Sequence, residues 1–158
     1  FAVARIDTGS FSEKDLVSRT TFDSRPSTAN QQKRQFRDTI STFVEEVDPS
    51  QYTDITGGVL QATEWLSEVE AEQKVILIFS DLKEDLPEGY VRDNITLELS
   101  GFEVVALNVT KLRSDIVDPR KYLSRLEAWQ KRVEEAGGEW RVINDLDHMT
   151  GLFEAKAN

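Results

Sequence analysis

The chain has no cysteine. Disulfides, thiol catalysis and zinc–thiolate sites are thereby excluded. The compartment stays open, since extracytoplasmic and cytoplasmic proteins can both lack cysteine. No apolar run approaches the roughly 20 residues of a membrane span, so no membrane span is expected in this chain. No signal peptide is visible. The chain opens directly on Phe1-Ala2-Val3-Ala4-Arg5-Ile6, already a strand pattern, with no starting Met. It reads as a fragment or processed product, and missing targeting signals carry little weight. Basic side chains are scarce, 19 against 29 acidic, for a net charge of −10. General binding to nucleic acid needs clustered Lys and Arg, so no nucleic-acid partner is expected. The small basic clusters, Lys33-Arg34 with Arg37 and Lys131-Arg132, lie in helical patterns and read as solvated faces.

What is present is ordinary for a globular protein: 158 residues, 39% hydrophobic and 30% charged. This is most simply one domain, residues 1–158, with a single core. The most informative stretch is Lys74-Val75-Ile76-Leu77-Ile78-Phe79-Ser80-Asp81. Its five consecutive apolar residues predict a strand buried on both faces, as in parallel sheets covered by helices. In open α/β sheets the ligand crevice lies outside the carboxyl ends of the strands, which is where Asp81 stands.

Phe1–Ile6 and Leu16–Phe22 read as strands joined in an antiparallel hairpin. A helix begins near Ser27 or Thr28, carries Phe36, Ile40, Phe43, Val44 and Val47 on one face, and stops at Asp48-Pro49. A second helix has Ile55, Val59, Ala62, Leu66 and Val69 on one stripe. Residues 85–100 form a polar connection. Phe102–Val109 is another buried strand. Asp118-Pro119 starts a helix with a buried stripe of Tyr122, Leu126, Trp129 and Val133; Gly137-Gly138 ends it. Glu139–Ile143 is a last strand, and Leu152-Phe153 sits in a short terminal helix. After the hairpin, helices and strands alternate, the pattern of βαβ units around a mostly parallel sheet.

Two loops are expected to meet at the carboxyl edge of that sheet: Tyr52-Thr53-Asp54 before a helix and Ser80-Asp81 after a strand. Hydroxyls, carboxylates and waters are hard oxygen ligands suited to Mg²⁺. Each residue also has a plainer role. Thr53 can be a helix N-cap, and Asp81 can hydrogen-bond within its own turn. His148, near Asp145 and Asp147, reads as an unexceptional loop residue. The serines have no His–acid partner set. Gly57-Gly58 lacks the Lys and spacing of a phosphate loop and permits close helix packing instead. Trp65, Trp129 and Trp140 read as core.

Tyr52-Thr53-Asp54-Ile55-Thr56-Gly57-Gly58-Val59-Leu60-Gln61-Ala62 resembles the segment of von Willebrand factor A domains in which a loop Thr precedes an apolar, alanine-containing helix. The strand ending in Ser80-Asp81 resembles the family strand that ends in Thr/Ser-Asp. The resemblance covers nearly the whole chain. It implies a three-layer Rossmann-like α/β fold, with a mostly parallel central sheet and one antiparallel edge hairpin. It also implies a metal-ion-dependent adhesion site holding Mg²⁺ (or Mn²⁺ or Ca²⁺), with Thr53 and Asp81 as ligands and Asp54, Ser80 and Glu84 beside them or contacting the ligand. The partner would be a protein offering an acidic group. The family's Asp-x-Ser-x-Ser loop is missing: the nearest string, Asp7-Thr8-Gly9-Ser10-Phe11-Ser12, has Gly and Phe where the serines belong. Phe1–Ile6 then corresponds to the family's second strand. The first strand, its loop and its helix, about 30–50 residues for one such unit, are expected upstream of Phe1. Metal binding by this chain without them is expected to be weak or absent.

Three functions compete. The first is a non-catalytic binding module. The second is a Mg²⁺-dependent hydrolase or phosphoryl-transfer enzyme using Asp81, Glu84 and Asp85. Against it, Asp81-Leu82-Lys83 lacks the Asp-x-Asp of haloacid-dehalogenase-like enzymes, and the acidic pair and Lys of receiver domains have no clear counterparts. The third is a metal-free assembly domain with a decayed site.

Overall fold

The computed structural model describes residues 1–7, 16–90 and 95–145. The loop residues from Thr8 to Ser12, His148 with Asp147, and the terminal helix expected at Leu152-Phe153 lie outside the described residues. The fold is α/β. Its elements run β1 (Ala2–Ala4), β2 (Leu16–Arg19), α1 (Pro26–Glu46), α2 (Ile55–Ser67), β3 (Lys74–Phe79), β4 (Phe102–Leu107), α3 (Arg113–Val117), α4 (Arg120–Glu135) and β5 (Glu139–Ile143). The chain divides into two compact units: Phe1–Gly58 with Glu84–Val91, and Val59–Lys83 with Arg92–Asn158.

In the first unit β1 and β2 pair antiparallel, Ala2 opposite Arg19, with the register shifting between Val3 and Ala4. The expected hairpin is therefore present, with shorter strands than the apolar pattern marks out. α1 starts one residue before the expected Ser27, because Pro26 occupies its first position, where a missing N–H costs nothing. Helix α1 packs on β2. Phe22 lies between Phe1 and Phe36, at centroid distances of 5.0 and 6.0 Å. The apolar stripe expected to be buried on α1 is covered only in part. Phe36, Ile40 and Phe43 are half-buried, while Val44 is 63% exposed.

The second unit is built on a parallel sheet of order β3-β4-β5, in continuous register from Lys74 opposite Phe102 to Phe79 opposite Leu107. All three strands have the direction that βαβ alternation predicts. Strand β3, however, is not buried on both faces. Ile76 and Ile78 are buried, Val75 and Leu77 are half-buried, and Phe79 is 63% exposed. The reason is position. β4 has a hydrogen-bonded neighbour on each side, and Val104, Val105, Ala106 and Leu107 are completely enclosed. β3 has β4 on one side, and no described strand pairs with its other edge. β1 and β3 belong to different sheets. Helix α4 covers β5 and buries Trp129 and Val133 from its expected stripe. Leu97 and Leu99, in the connection that reads as polar, are also buried. No helix among the described residues is long and apolar enough to cross a membrane.

This division between an enclosed and an edge strand has a measurable consequence. Leu107→Ala should lower unfolding stability by about 2–5 kcal/mol, and Phe79→Ala by less than about 1 kcal/mol. Urea midpoints of the two variants check this. Equal losses would show that β3 is as enclosed as β4.

Candidate functional site

The chain leaves β3 through a tight turn made of its own side chains. Ser80 Oγ accepts the Leu82 N–H at 3.1 Å, and Asp81 Oδ1 accepts the Lys83 N–H at 2.8 Å. Such Ser and Asx turns are local and need no partner. Leu82 is less comfortable. Its φ is +64°, in the left-handed region, and its side chain is buried. An ordinary L residue adopts that conformation at a cost of about 1–2 kcal/mol. The surroundings must therefore hold it there.

Helix α4 does so. Trp129 Nε1 donates to the Leu82 carbonyl at 3.0 Å, and Arg125 Nε donates to the Asp81 carbonyl at 2.7 Å. Arg125 and Trp129 stand four residues apart, on one helix face. The rest of the Arg125 guanidinium grips the buried Asp115 of α3 through two N–H groups, at 3.2 and 2.7 Å. A forked pair of this kind fixes geometry as well as charge. Asp115 Oδ2 also accepts the Leu112 N–H at 2.8 Å, tying down the start of α3. The Arg125 hydrogen bonds hold the Asp115 carboxyl at a pKa of about 2; burial opposes them, and the Leu112 N–H and the guanidinium charge reinforce them. The same hydrogen bonding raises Arg125 further above its already high value. The Arg125 guanidinium lies 5.8 Å from the Tyr122 ring centroid. Tyr122 Oη accepts from Asn144 Nδ2 at 3.1 Å, and Asn144 Oδ1 accepts the Val109 N–H at 2.9 Å. The carboxyl ends of β4 and β5 are thus joined by side chains as well as by backbone.

In the first unit, Thr53 and Asp85 form an isolated antiparallel bridge, with N···O distances of 2.7 and 3.0 Å. The helix cap that Thr53 could have supplied comes from its neighbours. Asp54 Oδ1 accepts the Gly57 N–H at 2.8 Å, and Glu84 Oε1 accepts the Thr56 N–H at 2.6 Å. Both carboxylates stand at the positive end of α2, where the helix dipole favours them. No described group makes a hydrogen bond to the Thr53 hydroxyl, and the residue is half-buried. The two glycines are sterically required. A Cβ on Gly57 would lie 2.4 Å from Asp54 Oδ2, and one on Gly58 would lie 2.4 Å from Ile6 Cγ2. Gly57-Gly58 thus serves close packing, as the absence of a phosphate-loop pattern implied.

The structure therefore groups the expected residues in two sets. Ser80 and Asp81 share the turn after β3, in the second unit. Thr53, Asp54 and Glu84 come together around the start of α2, in the first. Among the described residues there is no cluster of three or more His, Asp or Glu side chains arranged to hold a metal ion. In the second unit, Asp81 has one carboxylate oxygen beyond the one that accepts from Lys83, a donor of the chemical kind that suits a hard cation. Arg125 and Asp115 escaped the sequence reading, and Trp129 reads there only as core. The available signal was Arg125 standing four residues before Trp129, which lies on the stripe identified as buried. The chain matches no protein-family model, no curated protein and no solved structure.

The Asp115–Arg125 pair makes stability depend on pH. Because the folded-state value of Asp115 is depressed, its contribution is complete above the ordinary carboxylate value of 3.8 and is lost as pH falls toward about 2. The stability difference between wild type and Asp115→Asn should therefore be constant at neutral and mildly acidic pH. It should shrink between about pH 4 and pH 2. Urea midpoints measured across that range check it; a difference independent of pH would contradict the assignment.

Proposed function

We propose that this chain is a non-catalytic binding module of the von Willebrand factor A type. It recognises a protein partner offering an acidic group, through a divalent cation (Mg²⁺, or Mn²⁺ or Ca²⁺) at the carboxyl ends of the sheet strands. Asp81 supplies the carboxylate ligand, from the turn after β3. Ser80 shapes the turn that presents Asp81. The reading includes no covalent chemistry.

One observation carries this proposal. The turn bearing Asp81 is held from outside by Arg125 and Trp129, at a backbone conformation unfavourable for Leu82. Rigid support spent on a strained turn at a strand's carboxyl end is what a ligand-bearing loop needs, because a positioned side chain loses little entropy on binding. The parallel order of β3, β4 and β5 is compatible with the three-layer Rossmann-like arrangement that the reading requires.

A single carboxylate leaves Mg²⁺ with most of its waters, so affinity should be low. An NMR titration of the 158-residue chain with MgCl₂ tests this. Saturable shifts at the Asp81 amide and its turn neighbours Ser80 and Leu82 are expected, lost in Asp81→Ala. Shifts that persist in Asp81→Ala, or no shifts at the Asp81 turn, would overturn the cation reading and favour a metal-free assembly domain.

A further inference from the structure

We propose that α3 and the residues flanking it are the docking surface for the partner, and that the docking segment is an acidic peptide carrying aliphatic side chains. The proposal deepens the binding-module reading and rests on it, but it stands on different residues. Ile116 and Val117, at the end of α3, are 76% and 87% exposed. Singly scattered apolar side chains on a surface are ordinary. Two adjacent β-branched residues projecting from a held helix are a different matter, because their neighbour Asp115 is buried and locked by Arg125. The knuckle is preorganised, and its side chains have few rotamers to lose on binding.

Charge identifies the occupant. The chain carries a net charge of −10, yet residues 111–125 hold five basic and two acidic side chains, a local net of +3. Both acids are already committed, Asp115 to Arg125 at 2.7 Å and Asp118 to Arg120 at 2.9 Å. Lys111, Arg113 and Lys121, within five residues of the two aliphatics in sequence, are exposed. Such a patch complements an acidic segment with an aliphatic residue, attracting it by charge and seating it by apolar contact. An anionic bilayer shares part of that chemistry, but it is an extended surface and would confront the acidic remainder of the chain. A short peptide meets only the patch, within the roughly 8 Å over which charges act at physiological salt. The location fits a partner that also reaches Asp81, because Arg125 touches both the Asp81 carbonyl and the carboxylate at the base of the knuckle.

The test is selection of a random phage-displayed peptide library on the full chain in Mg²⁺ buffer, followed by fluorescence anisotropy with the selected peptide as a labelled synthetic probe. Acidic, aliphatic-containing peptides should be enriched. Their affinity should fall about tenfold or more with Val117→Asp and with Lys121→Glu, as for exposed anchor positions. Both variants should keep wild-type circular dichroism, since neither side chain is buried. Enrichment without acidic bias, or affinity untouched by both variants, overturns the proposal. So does binding of phosphatidylserine-containing vesicles, lost in the same variants, with no peptide selected. EDTA and Asp81→Ala separate the two readings. Peptide binding lost in the patch variants but indifferent to EDTA and to Asp81→Ala refutes the cation and keeps the surface. Binding abolished by EDTA and by Asp81→Ala but indifferent to the patch variants refutes the surface and keeps the cation.

Discussion

The guanidinium of Arg125 is the group on which the best-defined part of this protein depends. It donates to the Asp81 carbonyl on one side and forks onto the Asp115 carboxylate on the other. It ties the turn after β3, 44 residues before it, and the short helix α3 to the long helix α4. A buried carboxylate without a cation would shift its pKa or expel its helix, and a left-handed Leu82 without support would relax. Arginine suits the position because its planar fork meets a carboxylate with two donors and still leaves Nε free for a carbonyl; lysine has one point charge and no such geometry.

Around that centre the second unit divides its labour plainly. β4 is the enclosed strand, with paired backbone on both sides and side chains sealed on both faces. It supplies rigidity. β3 is exposed enough at Phe79 to show that it lies at the rim of the described sheet, and it delivers the loop with Ser80 and Asp81. The turn with Ser80 and Asp81 thus leaves a strand that lies beside the most enclosed one, in continuous register. A loop that must present a side chain is best anchored to an element that cannot move.

Much of this was legible in the sequence, and the exceptions share a cause. Lys74–Phe79 and Glu139–Ile143 appear with the boundaries that their apolar runs mark, because pattern and turn signals are local. The stripe of Trp129 and Val133 on α4 was equally visible. α3 was not: Arg-Ser-Asp-Ile-Val is too short to show a period, and its stability comes from Asp115 meeting Arg125 ten residues away. The left-handed turn at Leu82 left no trace, since no glycine marks it. Sequence can name Asp81 as a strand-end acid, but its support from Arg125 lies 44 residues on. The expectation that β3 is buried on both faces failed because an apolar run reports composition and not a strand's place in its sheet. Thr53 as a possible cap was displaced by Asp54, one residue on, because the cap is set by where α2's first turn begins.

The central claim is that Arg125 holds the Asp81 turn through a direct hydrogen bond to its carbonyl. The most direct measurement is NMR of the Arg125 Nε–H, read as its exchange rate with water and its scalar coupling across the bond to the Asp81 carbonyl carbon. The account predicts a slowly exchanging Nε–H with a detectable coupling to that carbon. An Nε–H exchanging as fast as that of a free guanidinium, with no coupling to Asp81, would contradict it.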